Sequence, residues 1–441
     1  MRRVLLLATT TGYQTRAFGD AAERLGVELV FATDRCHMLE DPWQDRAVPI
    51  RFHEPQASVD AIVEACRRRP VDGVLVVGDR PAVIAARAMK ALGMPGHPPE
   101  AAAVAGHKLW TRERLRAVGL PVPWFIPTAI TADAARFVQS IGFPCVLKPV
   151  ALSGSRGVMR ADTPEALVAA FDRLRALLNS PDIRAERNDA HDLALVEGFI
   201  PGREYAVEAL MHHGELRVLA LFDKPYPLDG PFFEETLYVT PSSASADVQR
   251  DIVERIGQAA RAIGLAHGPI HAECRVNADG VFVLEVAARP IGGLCARALR
   301  FVYGDPSPVP VLYGGRVSVQ PLTSRPLEEI LLRHALGEAP DAWTREPGAS
   351  GVMMMPIPRR GVLRRVDGAD AARQVTGVEG VHITAKIDQL LVPLPEGASY
   401  LGFIFARGDR PADVEESLIT AHGRLGFTID PEMPVYNARH G

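Results

Sequence analysis

Residues 268–293 contain the pattern that most restricts how this chain can fold. Two apolar-rich segments flank the turn-forming run NADG, which predicts a β-hairpin. Glu273 and Glu285 each lie six residues from Asp279, so a three-residue loop centred on Asp279 would place the two carboxylates opposite each other. Two carboxylates about 4 Å apart repel by about 4 kcal/mol at an effective dielectric constant of roughly 20. A positive group is therefore expected between them, and the candidates are Mg²⁺ and Arg275.

The residues that follow the second glutamate favour Mg²⁺ over Arg275 as the positive group between the two carboxylates. Side chains alternate along a strand, so Arg289 is expected on the same side as Glu285, and Ile291-Gly292-Gly293 follow it. A fixed guanidinium beside exposed backbone N–H groups stabilises negative charge that develops on a phosphoryl or acyl group. The pattern predicts Arg289, Gly292 and Gly293 as catalytic elements.

Lys148 and the small-residue loop after it are the second signal. Lys148 ends a strand-like run, and the loop SGSRG follows, with Ser153, Gly154, Ser155 and Gly157 as its small residues. Small residues let backbone N–H groups approach a polyphosphate, and the lysine adds a point charge. By itself the pattern is weak, because glycine-serine loops are common and most of them are only turns. No GxxxxGK[ST] motif occurs, which excludes an ordinary P-loop.

A third segment, LALVEGFIPGREYAVEAL, predicts a hairpin. Glu197 and Glu204 bracket its Pro-Gly turn between two strand-like runs. By themselves these residues indicate only a hairpin with solvated acidic side chains.

The order of elements predicts several domains of mixed α/β and α+β class. Strand-like and helix-like patterns alternate over the first hundred residues, which indicates a parallel sheet covered by helices. A proline pair at 98–99 closes this unit, and the last ninety residues have the pattern of a small α+β unit. We predict domains at 1–98, 99–330 and 331–441, with two lobes in the second, at about 112–195 and 196–330.

Composition excludes several functional classes. The formal net charge of the 441 residues is -4, so no basic field favours nucleic acid. The five cysteines are scattered without a CxxC pair or a Cys/His cluster, so neither a zinc site nor a disulfide framework is expected. The N-terminal apolar run is too short for a signal peptide or a membrane span. These features predict a cytoplasmic protein that binds neither nucleic acid nor membrane.

Taken in order, the segments resemble the ATP-grasp superfamily over about residues 100–300. HKLWTRERLRAVGLPVP resembles the start of the nucleotide site, VLKPVALSGSRGV the phosphate-covering strand and loop, and VEGFIPGREYAVEA the adenine-ribose hinge. HAECRV with LEVAARPIGG resembles the metal-binding hairpin. The EVAARPIGGL variant, the GPFFEE loop and the C-terminal unit resemble the L-amino acid ligase branch. The resemblance implies a Rossmann-like N-terminal domain, a two-lobed core and a small C-terminal domain.

The resemblance also implies roles for individual residues in binding ATP and Mg²⁺, with Mn²⁺ as a substitute. Lys108 and Lys148 would contact phosphates, and the loop from Ser153 to Gly157 would close over them. The adenine would be held by Glu197, Phe199 and Ile200, the ribose by Glu204, the metal by Glu273 and Glu285, and the acyl phosphate by Arg289 with Gly292 and Gly293.

One position departs from the ATP-grasp pattern. Many members have a metal-binding asparagine two residues after the second glutamate, whereas this chain has Ala287. The departure puts a second magnesium ion in doubt. His271 is expected on the same side, either as a substitute or as an ordinary hydrogen-bonded histidine.

The loop DKPYPLDGPFFEET supplies the substrate residues that the resemblance implies. Glu234 or Glu235 would bind the α-ammonium group of an amino acid, and Lys224 would meet the transferred phosphate; a solvated surface loop is the alternative. The implied reaction joins a small-molecule carboxylate to an amine, both from amino acids, in a protein that forms a homodimer as superfamily relatives often do.

Three other functions are consistent with parts of the sequence. An ATP-grasp carboxylase or purine-biosynthesis enzyme would activate bicarbonate or formate, and a catalytically inactive nucleotide-binding module would explain Ala287. An oxidoreductase is disfavoured because TTTGYQTRAFG lacks the GxGxxG turn after the first strand.

Overall fold

The computed structural model describes residues 1–9, 14–34, 47–304 and 323–432, together with the backbone of strands at 310–313 and 316–319. Within these ranges, no helix is long and apolar enough to cross a lipid bilayer.

The N-terminal part is a four-stranded parallel sheet with strand order β3-β2-β1-β4. Its first strand, RVLLL, is buried at four of five positions, as expected for a parallel strand covered on both faces. The elements are β1 (Arg3–Leu7), α1 (Thr15–Leu25), β2 (Glu28–Thr33), β3 (Val48–Pro49), α2 (Pro55–Arg68), β4 (Gly73–Val76), α3 (Ala82–Ala91), α4 (Pro99–Ala105) and α5 (Lys108–Ala117). The predicted parallel sheet is confirmed.

A smaller antiparallel sheet follows, with strand order β5-β8-β6-β7. Helix α7 covers one face through a buried stripe at helical spacing that includes Leu167, Phe171 and Leu174. The elements are β5 (Phe125–Ala129), α6 (Ala134–Phe137), β6 (Cys145–Pro149), β7 (Met159–Ala161), α7 (Pro164–Leu178), α8 (Pro181–Arg184) and β8 (Leu193–Gly198).

Strands from the core and from the C-terminal part share one eight-stranded sheet. The core contributes β9 (Arg203–His212), β10 (Glu215–Asp223), β11 (Leu237–Thr240), β12 (Gly268–Asn277) and β13 (Gly280–Ala287), with α9 (Ala246–Ile263) packed on the sheet. A connecting region contains β14 (Arg300–Tyr303), β15 (Pro310–Tyr313), β16 (Arg316–Val319), β17 (Arg325–Pro326), α10 (Leu327–Ala335) and β18 (Trp343–Arg345).

The C-terminal part extends that sheet and adds a small one. Its elements are β19 (Ala349–Met355), β20 (Gly361–Asp367), α11 (Ala369–Arg373), β21 (Val378–Ile383), β22 (Leu390–Leu391), β23 (Gly402–Gly408), α12 (Pro411–His422) and β24 (Gly426–Asp430). The large sheet runs β13-β12-β9-β10-β11-β19-β23-β21, and Tyr238 pairs with Val352 where the two parts join. The mixed fold class is confirmed. The sheet, however, continues across the boundary predicted at 331.

The carboxylate hairpin has a different turn from the predicted one. Asn277 pairs with Gly280, so the loop has two residues rather than three. A β-bulge then leaves Leu284 without a cross-strand partner, because Cys274 pairs with Val283 and Glu273 pairs with Glu285. The bulge therefore restores the register that places the two glutamates opposite each other.

Gly202, in the Pro-Gly turn before β9, provides a test of this packing. Its φ is +117°, and a Cβ there would lie 2.2 Å from the carbonyl oxygen of Val276. We expect Gly202→Ala to lower the free energy of unfolding by about 1–3 kcal/mol, because the backbone must leave a conformation that L residues rarely adopt. In Gly19→Ala, within α1, the added Cβ meets nothing within 4 Å, so stability should rise by about 0.5–1 kcal/mol. Urea unfolding of both variants checks this, and equal effects would contradict it.

Candidate active site

A cavity of about 530 Å³ lies between the small and large sheets. Its lining includes Asp79 after β4, Lys148 on β6, Glu273 on β12 and Tyr400 before β23, so the N-terminal part, both sheets of the core and the C-terminal part contribute. This volume falls within the range of small-molecule sites.

Most of the predicted site residues line this cavity. They are Lys108, Lys148, Ser153, Gly154, Ser155, Glu197, Phe199, Ile200, Glu204, Glu235, His271, Glu273, Glu285, Arg289, Gly292 and Gly293. Lys224, Gly157 and Glu234 are not part of the lining. Lys224 is buried behind the cavity wall, where it contacts three carboxylates, and is not a surface residue of the loop.

Glu197 is part of a buried ion cluster and not a solvated hairpin acid. Arg112, which is 1% exposed, donates two hydrogen bonds to its carboxylate, at 2.9 and 3.1 Å, and Lys148 donates a third. Burial opposes ionisation of Glu197, but Arg112 and Lys148 outweigh it and lower the pKa of Glu197 to about 2. Burial lowers the pKa of Lys148 to about 8 despite Glu197, so Lys148 is largely charged at pH 7.

This cluster makes stability depend on acid pH. The pKa of Glu197 is about 2 in the folded chain and about 4.3 in an unfolded one, so its stabilisation is complete above pH 4.3 and is lost as the pH falls toward 2. We expect wild-type protein to lose about 3 kcal/mol more than Glu197→Gln between about pH 5 and pH 2. Urea unfolding across this range checks it, with the exposed Asp251→Asn as control. Parallel pH profiles for wild type and Glu197→Gln would contradict it.

Lys224 lies at the centre of three carboxylates. Its ammonium group is 2.8 Å from Glu204, 3.1 Å from Glu235 and 2.7 Å from Glu273. Burial works against its charge, but the three carboxylates hold the pKa of Lys224 well above its usual value. Burial and repulsion from Glu273 raise the pKa of Glu235 to about 7. One lysine therefore does not fully offset the negative charge of this cluster.

Glu285, the cross-strand partner of Glu273, has basic neighbours of its own. It lies 3.3 Å from the ammonium group of Lys108 and 3.9 Å from the guanidinium of Arg289. Arg289 in turn donates to both carboxylate oxygens of Asp79, at 2.9 and 3.1 Å. Burial opposes the charge of Asp79, but Arg289 and Lys108 hold its pKa below the usual value. The N-terminal domain thus fixes the orientation of Arg289.

Both ring nitrogens of His271 have carboxylate partners. Nδ1 lies 3.2 Å from Glu208, and Nε2 lies 3.7 Å from Glu273. Burial works against protonation, but these carboxylates raise the pKa of His271 to about 9. Because a protonated imidazole has no lone pair for a metal, this geometry favours the hydrogen-bonded alternative for His271.

Glu208 positions the backbone in front of the two glycines. It is fully buried and accepts a hydrogen bond from the N–H of Ile291, at 3.0 Å. The carbonyl of Ile291 accepts one from Gln14 at 2.5 Å. Gly292 and Gly293 follow along the cavity wall.

The loop after Lys148 is held by the C-terminal part. Gly154 and Ser155 have φ of +64° and +55°, and a left-handed conformation at Ser155 costs about 1–2 kcal/mol. The N–H of Gly157 donates to Pro395 at 2.8 Å, and Arg156 donates to the carbonyl of Glu396, also at 2.8 Å. The tight loop conformation is thus tied to residues 395–396.

Sequence reasoning missed the buried partners that orient these groups. Arg112 lies 85 positions from Glu197, and Asp79 lies 210 positions from Arg289. Glu208 falls in a strand with buried residues on both sides. Only Glu208 carried a local signal, because an acidic residue within an apolar strand indicates a buried partner.

Three family models match separate stretches of the chain. Residues 19–96 match the ATP-grasp N-terminal domain, 141–298 the ATP-grasp domain, and 353–430 the L-amino acid ligase C-terminal domain 2. Fold and site together define an enzyme of the ATP-grasp ligase class.

Individual proteins show the same relationship. The chain is 23% identical to the uncharacterized protein y4rH of Sinorhizobium fredii, over 98% of this chain and 84% of that one. It is 29% identical to alanine–anticapsin ligase of Bacillus amyloliquefaciens over 56% of this chain, an alignment that spans only 54% of that enzyme. The crystal structure of L-amino acid ligase from Bacillus licheniformis superposes with a TM-score of 0.78 at 24% identity, covering 98% and 99% of the two chains. The chain belongs to the ATP-grasp superfamily, in the branch with the L-amino acid ligase C-terminal domain.

Proposed function

We propose that the chain is an ATP-dependent ligase that joins the carboxylate of one amino acid to the amine of another. The observation that carries this proposal is the single cavity in which Lys108 and Lys148 lie near the paired Glu273 and Glu285, with Arg289 beside them. Lysines, an oxygen-rich metal site and a fixed guanidinium are the groups that phosphoryl transfer requires.

The arrangement supports separate roles for the two walls of the cavity. Lys148 and the Ser153–Ser155 loop would bind the phosphates, and Phe199 and Ile200 would contact the adenine. Glu204 would bind the ribose, although its carboxylate also contacts Lys224 and Arg275. Glu197 would act on the nucleotide through the position it gives to Lys148.

The carboxylates fit a hard divalent cation. Oxygens of Glu204, Glu235 and Glu273 lie within 4.8 Å of one another, but the ammonium group of Lys224 already contacts all three. The pair that remains for an ion is Glu273 with its cross-strand partner Glu285. Mg²⁺ and Mn²⁺ prefer such oxygen ligands. Glu273 and Glu285 would hold the ion, which would offset charge on the phosphate oxygens. Because Ala287 has no donor atom, it offers no ligand for a second ion.

The proposed reaction has two steps. A carboxylate oxygen of the first substrate attacks the γ-phosphorus of ATP, the bond to the bridging oxygen breaks, and ADP leaves. The amine nitrogen of the second substrate then attacks the acyl carbon, the C–O bond to phosphate breaks, and the released phosphate carries away the amine proton. Arg289 would stabilise the charge on the acyl phosphate, while Lys224 would hold Glu235 and Glu273 in place for the ammonium group and the metal.

The test is release of ADP and phosphate from Mg-ATP with amino acids, singly and in pairs, and mass spectrometry of the products. Release that depends on a pair, with a new amide mass, supports the proposal. Release with bicarbonate or formate alone would assign the carboxylase-type function instead. ATP binding without release on any substrate would favour the inactive module. Glu285→Gln protein controls for contaminating ATPase.

A further inference from the structure

A second cavity, of about 170 Å³, shares no lining residue with the first. Five of the 13 histidines in the sequence line it: His97, His212, His213, His267 and His334. They come from the end of β9, the segment before β12, helix α10 and the segment before α4. The cysteines had predicted no zinc site, and the histidines were too far apart in the sequence to reveal a cluster.

Three of these histidines converge. One ligand nitrogen from each of His212, His267 and His334 lies within 4.8 Å of the other two. Nδ1 of His212 is 3.1 Å from Nε2 of His334. Two imidazole nitrogens bound to one tetrahedral zinc lie about 3.3 Å apart, given Zn–N bonds of about 2.05 Å. One pair already has this separation, and the third nitrogen must move by about 1.5 Å at most.

The side chain of His267 has an unused binding atom. Its Nδ1 is buried, and it has no hydrogen-bond partner among the described residues. Its ring stacks on that of His334, with centroids 4.3 Å apart.

His97 is not a ligand but fixes the chain that carries His267. Its Nδ1 accepts from the N–H of Ala266 at 3.2 Å, and its Nε2 donates to the carbonyl of Pro269, also at 3.2 Å. Ala266 in turn accepts from the N–H of Gly214 at 2.7 Å, next to the turn that follows His212. Two of the three converging histidines are therefore on backbone that the fold holds in place, as a built metal site requires.

We propose that His212, His267 and His334 bind one Zn²⁺ ion, with a fourth position for water in the cavity. Three neutral imidazoles select zinc, copper or nickel over Mg²⁺, which prefers oxygen. The ion would join helix α10 to β9 and β12. These strands also carry Glu208 and His271, each four residues, or about 13 Å, from a zinc ligand. The site stabilises the platform of the active site and takes no part in the reaction.

The test uses the full chain, freed of metal with a chelator and then dialysed against excess Mg²⁺ to occupy carboxylate sites. Titration with Zn²⁺ against a chromophoric chelator should give one site per chain and a rise in Tm, and Co²⁺ should give the visible bands of a four-coordinate ion. His267 lies in a partly exposed segment, so the variant His267→Ala is expected to fold. It should weaken Zn²⁺ binding by about 100-fold or more.

His213→Ala is the matched control, because His213 is exposed beside the cluster and contributes no converging nitrogen. It should bind Zn²⁺ like wild type. Circular dichroism establishes that each variant is folded, and His212→Ala serves as a second ligand variant. Absence of saturable Zn²⁺ binding to wild type, or equal binding by wild type, His267→Ala and His212→Ala, would overturn the proposal.

Discussion

Replacing Lys224 with methionine is expected to lower the free energy of unfolding by about 3–5 kcal/mol. The side chain is 3% exposed, and its ammonium group contacts the carboxylates of Glu204, Glu235 and Glu273. Methionine fills similar volume but leaves these charges without their shared partner. Urea unfolding, followed by tryptophan fluorescence and circular dichroism, measures the loss.

Two further variants separate charge from packing. Lys90→Met removes an exposed lysine whose only ion pair in the described chain is at 4.0 Å, so it should change stability by less than about 0.5 kcal/mol. Lys224→Met combined with Glu273→Gln should recover part of the loss, because Lys224 holds the pKa of Glu273 well below its usual value and the amide removes that buried charge. A double variant no more stable than Lys224→Met would refute the electrostatic explanation.

Glu285→Gln is expected to lower kcat by at least about 100-fold while the fold is kept. The amide is isosteric with the carboxylate but carries no charge for a metal ion or for Lys108, whose ammonium group lies 3.3 Å away. The measurement is the rate of ADP release with the amino acid pair that the substrate panel identifies, over a range of Mg²⁺ concentrations.

The control for this variant is Asp279→Asn, an exposed acid at the turn of the same hairpin. It should retain the wild-type rate and Mg²⁺ dependence. If Glu285→Gln also kept near-normal turnover with unchanged Mg²⁺ dependence, Glu285 would not be a metal ligand.

The hairpin shows both what the sequence could predict and where local reasoning failed. Alternation and the NADG turn predicted two strands with Glu273 facing Glu285, and the strands pair in that register. The predicted three-residue loop was wrong. The register depends instead on the bulge at Leu284. A two-residue loop with a bulge and a three-residue loop without one place the same side chains opposite each other, so the sequence pattern does not distinguish them.

The buried charges could not be paired from the sequence, for a different reason. Hydrophobic periodicity shows which side chains are buried, but the partner of a buried ion is set by tertiary packing between distant segments. Arg112 is one of three arginines in α5, and the local sequence does not distinguish it from the other two. It is nevertheless among the most buried side chains of the described residues and holds Glu197. The histidine cluster could not be predicted for the same reason, because its members come from segments that are far apart in the sequence.

The eight-stranded sheet bears on how this enzyme could be re-engineered. Strands β19, β21 and β23 continue the core sheet through the pairing of β11 with β19, and residues 395–396 hold the loop after Lys148. Grafting a C-terminal domain from another ligase would therefore replace three strands of the platform and the anchor of that loop at once. Changes of substrate preference in this branch are best sought by point substitutions around the cavity, not by exchange of modules.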